Sequence, residues 1–242
     1  MEIKTILTGS ENNLYLISTL NNDNYLLECG ARKSIIIKYL YKYNKTISDF
    51  KGCFISHGHS DHCESAKWVN SYMPIYSNYE LMQKGYKGEI LRPNQKKEFD
   101  DFTVIPFNVN HGNIENYAYI FKDEKDIILF ATDFYTFDTN LSKIKFTKLF
   151  IECNWTKDFM DEALADKDGW KYTKFERQYQ THCSLDILIE VLKTLNLINC
   201  YNIILIHKSK EVCNQKLALE RLSQLFPGIK FEFAVCERLE RW

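Results

Sequence analysis

The chain has 242 residues, enough for one large hydrophobic core, and its 45% hydrophobic and 26% charged residues are typical of a globular protein. No apolar run approaches the roughly 18 residues that a membrane span needs, and the N-terminus lacks the apolar core of a signal peptide, so we expect one cytoplasmic domain over residues 1–242 with no membrane association. The 8 cysteines form no CxxC pair and are expected to be reduced thiols, while a net charge of −1 neither requires nor excludes a nucleic-acid partner.

The first third of the chain alternates short β-rich stretches with polar turns and helical patterns. The predicted strands of this part span residues 2–7, 13–20, 25–28, 52–56 and 75–77. The predicted helices span residues 34–43, 64–72 and 79–84. The strand at 52–56 leads directly into the run His57-Gly58-His59-Ser60-Asp61-His62, which holds three of the 6 histidines in the chain.

From residue 99 onward the pattern returns to strands. The predicted strands span residues 102–110, 117–122, 127–132, 148–152, 202–206 and 231–235, the second and third of them forming a hairpin. The predicted helices span residues 159–165, 184–195 and 215–225, with Ser184 as the N-cap of the longest. Strand-rich halves with interspersed helices favour an α/β sandwich over a doubly wound parallel sheet.

The histidine run has the composition of a metal site. Imidazole nitrogens and carboxylate oxygens are the ligands that Zn²⁺ and similar metals take. In an extended segment His57 and His59 point to the same side and can bind one ion. If a helix begins near Ser60, Asp61 and His62 lie in its first turn and can face a second ion. The alternative is a polar loop in which the histidines cluster by chance.

The run resembles the HxHxDH motif of the metallo-β-lactamase superfamily, and other elements follow in that family's order. His111, which ends a strand, resembles the third histidine of the first metal site; Asp133 resembles the carboxylate that bridges two metals; and His207 resembles the last histidine of the second site. The resemblance covers nearly the whole chain and implies an αββα sandwich of two mixed β-sheets flanked by helices. It also implies two divalent ions, with Zn²⁺ favoured and Mn²⁺ open. The implied ligands are His57, His59, His111 and Asp133 for metal 1, and Asp61, His62, Asp133 and His207 for metal 2.

A narrower likeness concerns small proteins of this fold encoded by bacteria and their phages, which are related to a DNA-exonuclease branch and to tRNase Z. The matching segments are 131–133, 150–154, 182–185 and 205–209. In that group a second histidine in an HxS segment assists catalysis without ligating metal, and His182 has this place. Glu152 is expected to orient His182 or a ligand, with a structural ion pair as the alternative. Ser65 and Lys208 depart from the family pattern, and Cys63 and Cys183 are expected to pack beside the site.

The resemblance implies a hydrolase in which a water shared by two ions, with its pKa lowered towards about 7, attacks the substrate. Asp61, Glu152 and His182 are the candidate catalytic residues, with His182 assisting the leaving group. We expect a phosphodiesterase or nuclease; a cyclic-nucleotide phosphodiesterase, a lactone or thioester hydrolase and a non-catalytic binding module stay open. Two basic and aromatic stretches, 84–97 and 171–177, are either nucleic-acid contacts or solvated surface. A homodimer is also open.

Overall fold

Two mixed β-sheets form the centre of the computed structural model, which describes residues 1–167 and 169–237. The first sheet contains β1 (Glu2–Leu7), β2 (Leu14–Ser18), β3 (Asn24–Leu27), β4 (Phe50–Phe54), β5 (Ile75–Ser77) and β6 (Gly88–Ile90), in that spatial order. Strands β1 to β3 are antiparallel, and β3 to β6 are parallel.

The second sheet repeats this arrangement of antiparallel strands followed by parallel ones. It contains β7 (Lys97–Glu98), β8 (Thr103–His111), β9 (Ile114–Lys122), β10 (Ile127–Ala131), β11 (Lys148–Glu152), β12 (Asn202–Ile206) and β13 (Lys230–Phe233). Strands β7 to β10 are antiparallel, and β10 to β13 are parallel. The carboxyl ends of β10, β11 and β12 therefore meet at one edge of the sheet.

Helices cover the outer face of each sheet. The first sheet carries α1 (Lys33–Lys42), α2 (Ser60–Cys63), α3 (Ala66–Val69) and α4 (Tyr79–Met82), with a 3₁₀ turn at Ile47–Asp49. The second half of the chain supplies α5 (Lys157–Ala165), α6 (Tyr172–Thr181), α7 (Leu185–Thr194) and α8 (Gln215–Leu225). Helices α7 and α8 pack on the second sheet, while α5 and α6 share a small core with Trp155 and Val212.

The alternation of side chains along each strand builds the layers. In β2, Tyr15 and Ile17 face the core between the sheets, whereas Leu14 and Leu16 face the helices. A strand covered on both faces has no solvent side, which explains why these stretches are apolar throughout rather than alternating. The result is the predicted αββα sandwich, so the fold class is confirmed.

The structure departs from the predicted elements in three places. The helical stretch predicted at 64–72 is shorter, because regular helix within it covers only Ala66–Val69. Strands β6 and β7 were not predicted, since both lie in the segment interpreted as basic surface. Helix α6 was also missed: it buries only Phe175 and Gln178, so its apolar pattern is weak.

None of the helices within 1–167 and 169–237 has the length and apolarity that a membrane crossing requires. Residues 168 and 238–242 of the predicted domain lie outside the described residues.

Candidate metal centre

The predicted ligand residues meet at the seam between the two sheets. The histidine run follows β4 of the first sheet, and α2 begins at Ser60, which puts Asp61 and His62 in its first turn. From the second sheet, β8 ends at His111, and Asp133 and His207 follow β10 and β12. All seven predicted ligands are therefore brought to one place, although they come from distant parts of the chain.

Asp133 and His207 reach the site through an unusual backbone conformation. Their φ angles are 50° and 53°, in the left-handed region that residues other than glycine rarely adopt. His207 directly follows β12 and Asp133 is the second residue after β10, so each lies at the end of a buried strand where the chain turns at the seam. Such a conformation costs on the order of 1–3 kcal/mol per residue and concentrates at functional sites. The surrounding sheet therefore holds both side chains in place against a local cost.

The first group of ligand atoms contains three imidazoles and one carboxylate. The Nε2 atom of His57 lies 2.9 Å from Nδ1 of His59, which lies 3.3 Å from Nε2 of His111. The Oδ2 atom of Asp133 lies 3.8 Å from the His57 nitrogen and 3.6 Å from the His111 nitrogen. Four ligands at Zn–N and Zn–O distances in a tetrahedron lie about 3.4 Å from one another. The geometry of the group therefore fits one metal ion.

The second group uses the other oxygen of the same carboxylate. The Oδ1 atom of Asp133 lies 3.3 Å from Nε2 of His62 and 3.1 Å from Nδ1 of His207. The Oδ2 atom of Asp61 lies 3.3 Å from the His62 nitrogen and 3.5 Å from Nε2 of His207. Within each group all ligand atoms lie within 4.8 Å of one another. Asp133 therefore lies between two clusters, each of which can hold a divalent metal.

Hydrogen bonds outside the clusters set the orientation of the imidazoles. The Nδ1 atom of His111 lies 3.0 Å from the backbone carbonyl of Thr181, so its N–H donates there and Nε2 presents a lone pair to the site. The Nδ1 atom of His57 lies 2.9 Å from the hydroxyl of Ser56. The carbonyl can only accept, so it leaves Nε2 of His111 unprotonated, as a metal requires, while the hydroxyl of Ser56 holds the orientation of the His57 ring.

Two residues at the site were missed by sequence reasoning. Glu28 is fully buried beneath His62, with Oε2 3.5 Å from its Nδ1, and accepts hydrogen bonds from the backbone N–H of Ser56. Asn13 is also buried, and its Nδ2 lies 3.1 Å from Nε2 of His62 and donates to the backbone carbonyl of Asp61. Neither residue lies in a motif, so the sequence carries no signal for its role.

Glu152 connects His182 to the second cluster. Its Oε1 atom lies 2.8 Å from Nδ1 of His182 and 2.9 Å from Nδ1 of His207. Its Oε2 atom accepts hydrogen bonds from the backbone N–H groups of Phe134, at 2.9 Å, and Cys183, at 3.3 Å. The carboxylate is fully buried, and both of its oxygens are occupied. It thus contacts two histidine rings at once.

The electrostatics divide the histidines into two sets. Burial lowers the pKa of His57, His59 and His111, which favours the neutral form that binds metal. Burial also opposes protonation of His207, but Asp133, Asp61 and Glu152 outweigh it and raise the pKa of His207 to about 10. Negative charge therefore predominates around the second cluster, where a cation is stabilised.

A cavity of about 520 Å³ opens over both clusters. It is lined by Asp61, His111, Asp133, His182 and His207, together with Arg177 and Thr181 of α6. Lys208, the departure from the family pattern that follows the last ligand, is not among the residues found to line it. The other departure, Ser65, donates from its hydroxyl to the carbonyl of Ala31 at 2.6 Å.

The cysteines lie beside the site rather than in it. None of the 8 forms a disulfide. The thiols of Cys63 and Cys183 are buried and donate to the carbonyls of Gly58 and Ser184. Burial raises the pKa of both thiols, that of Cys63 to about 11, and thus keeps them protonated. Neither is found in a ligand cluster of the described ranges. The hydroxyl of Ser184 accepts from the N–H of Ile187 and caps α7, as predicted.

Comparison with known proteins identifies the fold. No family model matches the sequence. The exodeoxyribonuclease WalJ of Streptococcus pneumoniae is 26% identical over 147 residues, which make up 55% of this chain and 54% of WalJ, so the match spans about half of each protein.

Solved structures match over almost the whole chain. The metallo-β-lactamase fold protein YhfI of Bacillus subtilis superposes with a TM-score of 0.69 at 17% identity, covering 96% of this chain and 95% of YhfI. The short form of human tRNase Z gives a TM-score of 0.64 at 13% identity, covering 98% and 97%. A diphosphatase of the PhnP family gives 0.63 at 15% identity, covering 95% and 93%. The chain has the metallo-β-lactamase fold.

Proposed function

We propose that this metallo-β-lactamase-fold protein is a dinuclear metal-dependent phosphodiesterase that acts as a nuclease. The observation that carries the proposal is the carboxylate of Asp133, whose two oxygens face two separate ligand clusters. A nucleic-acid substrate is supported by the names of similar proteins, since WalJ is an exodeoxyribonuclease and tRNase Z acts on tRNA. Each of these likenesses is too distant to assign a substrate by itself.

The residues divide into two proposed ligand sets. His57, His59, His111 and Asp133 would hold one ion, and Asp61, His62, Asp133 and His207 the other. Divalent ions bound there supply Lewis acidity, which makes water a nucleophile near neutral pH and neutralises charge on a phosphate group. The imidazole-rich first set favours Zn²⁺, and the carboxylates of the second set also suit Mn²⁺.

His182 is the proposed general acid. Its Nδ1 atom is held by Glu152 at 2.8 Å, so Nε2 is the ring nitrogen left to act on substrate, and the ring lines the cavity. A protonated ring would donate from Nε2 to the leaving oxygen, and the Glu152 carboxylate would stabilise the cation before transfer. General acid catalysis of this kind contributes about 10²–10⁴-fold to a rate.

The test is metal analysis of the purified protein together with hydrolysis of bis(p-nitrophenyl) phosphate. We expect about two ions per chain and turnover in the wild type, and loss of one ion and of turnover in Asp61→Ala. Asp161→Ala is the matched control, because this aspartate lies exposed on α5 and pairs with Lys157 on the same helix. DNA, RNA and cyclic nucleotides are then compared side by side.

The outcomes separate the site from the reaction. Two ions without phosphodiester turnover would leave the metal centre standing and reject the proposed activity, and lactones and thioesters would be tested next. Protein purified without chelator that carries no metal would reject the centre itself.

A further inference from the structure

Arg177 on helix α6 is the cationic side chain of the cavity. Among the residues that line the space over the clusters, it is the only lysine or arginine identified within the described ranges. The same lining includes the carboxylates of Glu11, Asp61 and Asp133. Glu11 is already paired with Lys210 at 2.8 Å. A single exposed guanidinium therefore faces a cavity whose other charged groups are ligands or paired.

Ion pairs hold four other cations of the two basic stretches: Lys96, Lys97, Lys171 and Lys174. Lys171 and Lys174 both pair with Glu211, which fastens α6 to the loop after β12. Lys97 pairs with Glu89. No ion pair is found for Arg177 across 1–167 and 169–237, and unlike Lys84, Lys87 and Arg92 it lines the cavity over the clusters. The helix is thus anchored by its lysines, and its arginine is left for a ligand.

We infer that Arg177 binds a phosphate group next to the one that is cut, so that the preferred substrate is a nucleic-acid strand with at least two phosphates. This inference rests on the proposed phosphodiesterase function. A guanidinium donates two parallel N–H groups to a phosphate, which gives both orientation and charge neutralisation. In the proposed function the scissile phosphate would lie over the metal clusters beside His182, where the ions held by these residues would neutralise its charge.

The position of Arg177 on the helix supports a separate phosphate. Arg177 precedes Thr181 by four residues, about 6 Å along the helix axis, and Thr181 is the neighbour of His182. The backbone carbonyl of Arg177 accepts from the hydroxyl of Thr181 within this turn of the helix. Arg177 is exposed, whereas the side chain of His182 is only 14% exposed, so the two line one cavity at different depths, as contacts to successive phosphates of a strand would.

The experiment compares three thymidine dinucleotides that share one cleavable bond: TpT, pTpT and TpTp. For Arg177→Gln we expect KM to rise about 10- to 100-fold for whichever of pTpT and TpTp places its terminal phosphate at Arg177, because a charge-assisted hydrogen bond is lost. For TpT, which has no second phosphate, KM should change by less than about twofold. The slope of log KM against log salt should fall by about 0.7 for the same phosphorylated substrate, as loss of one phosphate contact requires. Arg177→Lys should keep the salt slope but recover only part of the affinity.

Lys174→Gln is the matched control. It removes the same charge from the same helix, but this lysine pairs with Glu211 and does not line the cavity, so the three dinucleotides should respond alike. Equilibrium binding of a pTpT analogue with an uncleavable methylphosphonate linkage gives a second readout that does not depend on turnover. It should be weakened by Arg177→Gln to the same degree as KM.

The results separate this inference from the proposed function. An equal loss for TpT and for the phosphorylated dinucleotides would place Arg177 on the scissile phosphate and overturn the inference. Unchanged KM and binding for all three would overturn it as well. If the wild type cleaves none of them, the proposed function fails, and binding of the methylphosphonate analogue still decides whether Arg177 holds a phosphate.

Discussion

Replacement of Glu152 by glutamine should impair the centre although no ligand is changed. The carboxylate accepts from two imidazoles through Oε1 and from two backbone N–H groups through Oε2, so all four partners are donors. An amide has one acceptor oxygen and one NH₂ group. Whichever way the side chain lies, one pair of donors would face the NH₂ group.

The size of the effect follows from burial. Glu152 is fully buried, and a buried donor without a partner costs about 1–3 kcal/mol. If the NH₂ group faces the rings, His182 and His207 must accept at Nδ1 and carry their proton on Nε2, which removes the lone pair that His207 offers to a metal. If it faces the backbone, the N–H groups of Phe134 and Cys183 lose their acceptor. Loss of such an orienting partner typically lowers metal affinity or activity 10- to 100-fold, equivalent to about 1.4–2.7 kcal/mol.

Chelator competition and steady-state kinetics on Glu152→Gln measure both effects. We expect metal affinity at the second cluster, which contains His207, and kcat each to fall about 10- to 100-fold. Glu232→Gln is the matched control, because Glu232 lies in the same sheet and pairs with Asn202 and Lys230 away from the centre. Wild-type affinity and kcat in Glu152→Gln would refute the argument that this carboxylate orients the two rings.

Two further predictions concern the general acid and the packing beneath Asp61. His182→Ala should lower kcat by about 10²–10⁴-fold with metal content unchanged, and loss of an ion in this variant would show His182 to be a ligand instead. Gly30→Ala should abolish metal binding, since a Cβ atom there would lie 1.6 Å from the backbone oxygen of Asp61. Gly58→Ala should keep it, because the methyl would meet the flexible end of Lys84 at 3.3 Å and make an ordinary contact with Leu81 at 3.8 Å. Equal metal content in the two glycine variants would contradict this packing argument.

The sequence could predict the parts of the centre that follow strands. The histidine run, His111, Asp133 and His207 each lie at or just past a strand that can be recognised from its apolar residues. The motif order then identifies them as a set. Glu152 could be singled out for the same reason, since it ends β11.

The rest depends on burial, which a single sequence does not reveal. A glutamate is rarely buried without a partner, and Glu28 shows no sign in its neighbours that it lies beneath His62. The basic stretch of α6 permits either a nucleic-acid contact or solvated surface, and its sequence carries no sign that Thr181 contacts His111 or that Arg177 lines the cavity over the clusters. These features follow from the packing of distant segments.

Ions bound at the seam would join the two sheets as a covalent cross-link joins two segments of a chain. Asp61 and His207 are 146 residues apart in sequence, and closing such a loop in an unfolded chain carries an entropic cost that grows with the logarithm of its length. In the folded protein the ligands are already held close together, so the free energy of metal binding adds to the stability of the edge where the strand ends meet. Removal of the ions would then loosen this edge first, while the aromatic contacts between the sheets, such as Phe54 with Tyr119, hold the interior. A chelator would act on this protein as a local denaturant, with amide exchange accelerating at the strand ends before the core.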